Sequence, residues 1–431
     1  MQLYSEHKNY KLYEGNMLDM LEYITPNSID SVITDPPYEL NFMAKSWDSS
    51  GIAFQKSTWE KCFTVLKPGG YLLAFGGTRT FHRIACAIED AGFEIRDTIM
   101  YLYGSGFPKS MNIGKSVEGK LTIGSGNVKD IKKLDGETYT VSCGFNRTGK
   151  ETGYRDKEYE LTKTDVIYHT EEGQKWSGWG TALKPAYEPI IIARKPCEGT
   201  CVDNVIKYGV GGINIDECRV GDETISYYPT DLTQAHSNNF GTGAYMPKDT
   251  TKEPISHVGR YPSNVILTYD DTDQEEVIGG MPYTVSTGGS GEASQGFSGN
   301  IYGQYNHDKP ISHLGGLGDS GSAARYFYCA KASNRDRDEG LEDTDTPKNI
   351  HPTVKPCDLM QYLVRLVTPK GGTVLDPFNG SGSTGKAVMY ENHDRDSKYK
   401  YIGIELTHEY LPISDARIKF VANKPKTFKL F

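Results

Sequence analysis

The sequence predicts an α/β fold, a mostly parallel sheet with helices on both faces, interrupted by a long loop-rich middle. Three observations predict it. Short apolar runs lead into acids, Ser31–Thr34 before Asp35, Thr373–Asp376, and Tyr401–Glu405. Helix-spaced apolar residues fall between such runs, and strand–helix–strand alternation of this kind argues for a parallel sheet covered by helices. A glycine-rich stretch separates two segments that share this pattern, so both segments are read as halves of one sheet.

In order along the chain, Trp59, Cys62, Phe63 and Leu66 recur at i, i+3, i+4 and i+7 and give one helical face. Lys67-Pro68-Gly69-Gly70 ends that helix and turns into a strand, Tyr71–Phe75. Phe81, Ile84, Ala85 and Ile88 repeat the helical spacing, and Gly92 stands where a C-terminal cap belongs. These elements make residues 1–115 the first half of the sheet. Residues 116–345 are rich in Gly, Ser, Thr, Asn and Tyr, and residues 279–321 are nearly empty of aliphatic side chains. Such a composition suggests loops ordered only by a partner. Within it, Pro189–Ala193 and Val265–Leu267 read as buried strands. Residues 346–431 return to the α/β pattern, with Leu359, Tyr362, Leu363, Leu366 and Val367 on one helix face and Pro356 near its start.

The 431 residues are enough for a large core. A hydrophobic content of 37% and a mean hydropathy of −0.54 describe a soluble chain. No run approaches the roughly 18 apolar residues of a membrane span, and the first 16 residues lack a signal peptide, so the expected location is the cytoplasm, with no membrane partner. The eight cysteines are scattered. Only Cys197, Cys201 and Cys218 come close together, without the paired spacing of a zinc module, so ordinary thiols and no metal site are expected. The net charge of −9 argues against indiscriminate coating of DNA but does not exclude local Lys and Arg meeting phosphates.

Two motifs carry chemistry. Asp35-Pro36-Pro37-Tyr38 follows a strand directly, at the carboxyl end where open α/β sheets bind ligands. An exocyclic base amine is a poor nucleophile because its lone pair is delocalised into the ring. The Asp35 carboxylate and the Pro36 carbonyl are two acceptors that can draw its hydrogens and localise that pair. Pro36 and Pro37 fix the local backbone, and Tyr38 offers a flat face for stacking. The second motif, Asp376-Pro377-Phe378-Asn379-Gly380-Ser381-Gly382-Ser383-Thr384-Gly385, contains G-x-G-x-x-G at Gly380, Gly382 and Gly385. Its glycines admit a ligand close to the backbone, and Glu405, about 20 residues on, can bond ribose hydroxyls. These features suit any adenosine-containing cofactor and do not separate NAD from S-adenosylmethionine.

Together, Asp35–Tyr38 and Asp376–Gly382 resemble the amino-group DNA methyltransferases. The catalytic motif precedes the cofactor motif, as in their circularly permuted beta class. His351-Pro352-Thr353-Val354-Lys355-Pro356 resembles the family's helix start that closes over the methionine end of the cofactor. Gly15-Asn16-Met17-Leu18-Asp19 stands in the place of a family Gly-Asp motif that contacts the cofactor's adenine, with Asn16 replacing the acid. The resemblance implies a Rossmann-like methyltransferase sheet, S-adenosylmethionine as cofactor and double-stranded DNA as partner. Its implied catalytic residues are Asp35, Pro36, Pro37 and Tyr38. Its implied cofactor contacts are Asn16, Asp35, Thr353, Lys355, Asp376, Pro377, Phe378, Gly380, Gly382 and Glu405. The middle stretch takes the place of the family's target-recognition region, and a homodimer and an accompanying restriction endonuclease are the implied protein partners.

The implied reaction is direct methyl transfer to a flipped-out base, with N6 of adenine expected because Asp tends to accompany adenine in this family where Ser accompanies N4 of cytosine. Phe42, Lys45 and Trp47 lie in a loop, Asn41–Asp48, that could close on the base or simply pack. Arg79, His82, Lys109 and Lys115 are candidate phosphate contacts. Three other readings compete. An NAD-linked oxidoreductase leaves Asp35–Tyr38 unexplained, a protein-glutamine methyltransferase has Asn in place of Asp35, and a non-enzymatic DNA-binding module predicts damaged motifs.

Overall fold

The computed structural model describes residues 2–40, 46–103, 110–124, 138–141, 159–162, 168–227, 253–269, 281–285, 320–331, 334–342, 344 and 348–425. The chain divides into two compact units, Met1–Leu102 with Glu188–Phe431, and Tyr103–Tyr187. The described strands are β1 (Gln2–His7), β2 (Tyr10–Glu14), β3 (Ile29–Thr34), β4 (Leu66–Phe75), β5 (Glu94–Leu102), β6 (Thr138–Val141), β7 (Tyr159–Thr162), β8 (Tyr187–Arg194), β9 (Val220–Tyr227), β10 (Ile255–Arg260), β11 (Val265–Tyr269), β12 (Tyr283–Val285), β13 (Ser320–Ser322), β14 (Tyr328–Lys331), β15 (Thr373–Asp376) and β16 (Lys400–Glu405). Ten of them form one sheet in the order β1-β2-β16-β15-β3-β4-β8-β5-β11-β14, and β9–β10, β12–β13 and β6–β7 form separate pairs.

The first and last parts of the chain interleave in the sheet. β2 pairs with β16, β16 with β15, β15 with β3 and β3 with β4, all parallel, whereas β8 runs antiparallel to β4. The carboxyl ends of β2, β16, β15, β3 and β4 therefore meet at one edge, together with the amino end of β8. Helices cover the faces, so β3 is buried at every position, as is β8 from Pro189 to Arg194. Near-continuous apolar strands are what two covered faces demand. One core cluster holds Trp59, Leu66, Leu72, Ile84, Ile88, Phe93, Ile191, Leu375 and Ile404.

The helices fall largely where the spacing placed them, at Lys56–Val65, Phe81–Asp90 and Cys357–Val367, followed by Ser383–Arg395 and Leu411–Ala422. Cys357–Val367 buries all five of its predicted face residues. Gly92 takes a left-handed φ of 102° just past the second helix, as a C-terminal cap requires. Two differences have local causes. Leu66 belongs to β4 and not to the helix before it, and Lys67–Gly70 continue β4 instead of forming a free turn. The loop after β8 satisfies this backbone, since Gly69 N donates to Lys195 O at 3.0 Å and Lys195 N to Gly70 O at 2.9 Å. Gly69 keeps a left-handed φ of 76°, and a Cβ there would lie 2.2 Å from Asn204 Nδ2.

From the middle stretch, the two expected strands are present within β8 and β11, and β14 joins them in the same sheet. Of the glycine-dense run 279–321, only 281–285 and 320–321 lie among the described residues. Among the described residues no helix is long and apolar enough to cross a membrane.

A buried charge cluster ties the Asn334–Asp338 helix to the last part of the chain. Lys386, with no exposed side-chain surface, contacts Asp336 Oδ1 at 2.8 Å and Glu339 Oε2 at 3.0 Å. Arg417 donates to the carbonyls of Ser381 and Asp336 from the next helix. Removing one partner of such a cluster strands the rest. Lys386→Met is therefore expected to destabilise the protein by about 3 kcal/mol, read from urea unfolding, and an unchanged midpoint would contradict this.

Candidate active site

Asp35 is the first residue beyond β3, so the strand delivers its carboxylate to the shared edge. Tyr38, one short turn later, places its hydroxyl 2.8 Å from Asp35 Oδ1 and 3.0 Å from Glu188 Oε2. Lys355 Nζ donates to Asp35 Oδ2 at 2.6 Å and to Tyr38 Oη at 3.2 Å, and lies 3.2 Å from Glu188 Oε2. The same ammonium sits over the Phe75 ring at 4.8 Å and the Tyr38 ring at 5.4 Å, a favourable position for a cation on aromatic faces. Two carboxylates thus surround one ammonium and one phenol.

The energetics of this cluster follow from burial. Burial disfavours the Lys355 ammonium, but Asp35 and Glu188 outweigh it and hold its pKa above the usual lysine value. Burial, then Asp35 and Glu188, push the Tyr38 phenol well above its ordinary value, so it stays protonated. The phenol has one proton for two carboxylates, so it bonds one at a time.

Beside this cluster, the Asp376 carboxylate is fully committed to shaping the glycine loop. Its Oδ1 accepts from Thr34 Oγ1 at 2.6 Å and Phe378 N at 3.1 Å, and its Oδ2 from Thr384 Oγ1 at 2.6 Å. Burial raises its pKa to about 6 despite these donors. Gly380 and Gly382 adopt left-handed φ values of 51° and 78°, which a side chain would strain. A Cβ on Gly382 would also approach Ser414 Oγ to 2.5 Å. Pro377 is buried, and Phe378 packs on the core.

Glu405, at the end of β16, faces the loop. Its Oε2 accepts from Gly380 N at 2.6 Å and its Oε1 from Thr407 N at 2.8 Å. Burial lifts its pKa to about 7, against the lowering pull of those donors. Gly15 N donates to Glu405 O at 2.9 Å, which sets Asn16 next to the same strand end. Asn16 Oδ1 caps the short Met17–Met20 helix by accepting from Leu18 N at 3.0 Å.

Residues 351–356 also approach the glycine loop, through His351 beside Gly380. Arg337 donates to the carbonyls of Asn349 and His351 and fixes the segment's path. His351 Nδ1 lies 2.6 Å from the Thr353 carbonyl, so that nitrogen carries the proton. Burial lowers the His351 pKa to about 4, which keeps the ring neutral near pH 7. Its Nε2 lies 3.0 Å from where a Cβ on Gly380 would stand. Thr353 is exposed, whereas Lys355 is buried in the cluster with Asp35.

The edge thus gathers Asn16, Asp35, Tyr38, Lys355, Asp376, Gly380, Gly382 and Glu405. Arg79, in the loop after β4, and His82, in the first turn of the Phe81–Asp90 helix, are exposed, and Thr80 between them donates to the Tyr38 carbonyl at 2.8 Å. Lys115 lies in the Tyr103–Tyr187 unit, and Lys109, Phe42 and Lys45 fall outside the described residues, as does the Trp47 side chain. Asp48 accepts from Glu39 N at 2.9 Å and from Leu40 N at 3.2 Å. Glu188, Thr34 and Thr384 were not singled out from the sequence. Glu188 precedes an apolar run, but only the antiparallel course of β8 brings it to this edge.

The family described as DNA methylase, of the N6/N4 methyltransferase type, matches residues 29–416. The chain is 24% identical over 247 residues to the Type II methyltransferase M.HindIII of Haemophilus influenzae, covering 56% of this chain and 58% of that one. It is 25% identical over 231 residues to the Type II methyltransferase M2.LlaDCHI of Lactococcus lactis subsp. cremoris, covering 49% and 81%. The alignment thus spans little more than half the length of the first relative and four fifths of the second. Among solved structures, PvuII DNA methyltransferase (cytosine-N4-specific) aligns with a TM-score of 0.40 and 13% identity over 96% of this chain and 92% of that one.

The burial of Glu405 has a measurable consequence. Its pKa is about 7 in the folded chain against an ordinary 4.5, so on raising the pH the unfolded chain releases this proton first. Stability from this group is complete below about pH 4.5 and is lost as the pH rises through about 7. Relative to Glu405→Gln, the protein is expected to lose about 3 kcal/mol across that window, read from urea midpoints. A pH-independent difference between the two proteins would contradict it.

Proposed function

The chain belongs to the N6/N4 family of DNA methylases, and from that premise we propose that it methylates the N6 amine of adenine in double-stranded DNA, using S-adenosylmethionine. The observation that carries the proposal is the placement, at one sheet edge, of the Asp35 carboxylate beside a glycine loop faced by Glu405. The residues fit the cofactor. Glu405 is a buried carboxylate with lone pairs left for ribose hydroxyls. Gly380 and Gly382 leave the loop backbone without side chains, and Asn16 stands at the neighbouring strand end for the adenine. Thr353 and Lys355 approach from the segment assigned to the methionine end, while Asp376, Pro377 and Phe378 shape the loop. When bound, S-adenosylmethionine supplies an electrophilic methyl group on sulfur.

The chain's own part is to prepare the amine. Asp35 accepts one amine hydrogen and the Pro36 carbonyl the other, which turns the nitrogen lone pair away from the ring. Pro36 and Pro37 hold the backbone for this, and the Tyr38 ring supplies the stacking face. Each Asp35 oxygen already accepts one bond, from Tyr38 or from Lys355, and each keeps a lone pair for the incoming amine. Glu188 gives the phenol and the ammonium a second acceptor within 3.2 Å, so each stays paired as Asp35 turns to the base. Holding the two reactants aligned supplies much of the acceleration.

The base must leave the duplex to reach Asp35, at a cost of a few kcal/mol offset by stacking and hydrogen bonds in the pocket. Adenine is proposed over N4 of cytosine on Asp35, the residue that tends to accompany adenine in this family. Arg79 and His82 are the proposed phosphate contacts on the described edge. A second copy of the chain and a restriction endonuclease are the proposed protein partners, in keeping with relatives that are Type II methyltransferases. Asp35→Ala is expected to lower the methylation rate by roughly a hundredfold or more while calorimetry shows S-adenosylhomocysteine still bound. An Asp35→Ala protein that binds this ligand and methylates DNA at the wild-type rate would overturn the proposed role.

A further inference from the structure

One pair of cysteines stands apart from the other described thiols. Cys62, Cys218 and Cys357 are buried, and burial pushes the first two up to about 12. Cys201 is exposed, and Cys197, partly exposed, lies with its Sγ 3.7 Å from Cys201 Sγ. Arg194 Nη1 donates to Cys201 Sγ at 3.2 Å. That guanidinium is itself fixed, buried at the end of β8 with Nη2 on Glu94 at 2.7 Å.

We propose that Cys197 and Cys201 form a reactive dithiol that is oxidised by small-molecule disulfides, with Cys201 as the attacking sulfur and Cys197 as the resolving one. The geometry divides the roles. Cys201 receives both the guanidinium and the Cys197 thiol as donors, an arrangement that favours its thiolate. In keeping with this, the Arg194 and Cys197 bonds lower the Cys201 pKa, whereas burial and the bond to Cys201 raise that of Cys197. Cys201 also opens the Cys201–Tyr208 helix, behind a capping box made by Thr200 and Asp203.

The backbone carrying both sulfurs is held in place. Glu198 N donates to Asn204 Oδ1 at 2.9 Å, and Asn204 Nδ2 donates to the carbonyls of Pro68 at 2.9 Å and Val210 at 2.8 Å. Lys195 Nζ donates to the carbonyls of Phe63 and Leu66. Oxidation therefore needs the two sulfurs to close from 3.7 Å to about 2.0 Å on a short, tethered loop. Cys201 thiolate attacks one sulfur of the disulfide R–S–S–R, forming the Cys201 mixed disulfide and releasing one thiolate, RS⁻. Cys197 then loses its proton to solvent and attacks Cys201 Sγ, forming the Cys197–Cys201 bond and expelling the second RS⁻. The two cysteines are oxidised and the small disulfide is reduced to two thiols.

The test uses the reduced full chain with oxidised glutathione as the probe, followed by intact mass and peptide mapping. Cys86 is exposed in the same chain and serves as the internal reference. Cys201 is expected to react roughly threefold faster than Cys86 or more, and the product to be a Cys197–Cys201 disulfide. In Cys197→Ser the reaction is expected to stop at a stable glutathione adduct on Cys201. In Cys201→Ser the residual Cys197 is expected to react no faster than Cys86. Equal rates at Cys201 and Cys86, or no cross-link between Cys197 and Cys201, would overturn the proposal.

Discussion

The hydrogen bond from Thr34 Oγ1 to Asp376 Oδ1, 2.6 Å long and buried, is the joint on which the site depends. It links the end of β3 to the end of β15, two strands whose parallel pairing closes the early part of the chain onto the late part. A buried carboxylate is costly unless its lone pairs are satisfied, and Asp376 meets that demand with Thr34, Thr384 and its own loop through Phe378 N. One side chain thus ties together the end of β3, the start of the following helix and the turn into the glycine loop. The sheet holds Asp35 and Glu405 on neighbouring strand ends, and this joint adds the turn of the glycine loop to that frame.

The second constraint is electrostatic. Lys355 is buried among Asp35, Glu188 and Tyr38, and a buried cation is tolerable only when paired and hydrogen-bonded. The arrangement leaves one negative charge in excess beside a place suited to the positively charged sulfonium of the proposed cofactor. It also gives the donors on Asp35 a second acceptor in Glu188. A structural cluster of this kind can release Asp35 to a substrate without leaving an unpaired charge behind.

Much of this was legible in the sequence, and the remainder was hidden for definite reasons. β3, β15 and β16 showed as apolar runs leading to acids, and the Cys357–Val367 helix as a clean periodicity, because local pattern determines both. Asp35–Tyr38 and Gly380–Gly385 showed because each needs unusual residues in tight spacing. The work of Asp376 and Glu405 on their own backbone did not show, since a carboxylate that shapes a loop and one that meets a ligand look identical in sequence. Glu188 was hidden by topology, as it reaches the edge only because β8 runs against its neighbour. Lys67–Gly70 looked like a free turn because the partner that makes it a strand, the loop after β8, is remote in sequence.

Methyl transfer to an exocyclic base nitrogen leaves its record in the DNA itself. Modified-base sequencing of DNA from cells expressing the protein is predicted to show N6-methyladenine at one recurring short sequence. DNA carrying no modified base in cells that contain the folded protein would contradict the proposed methyl transfer.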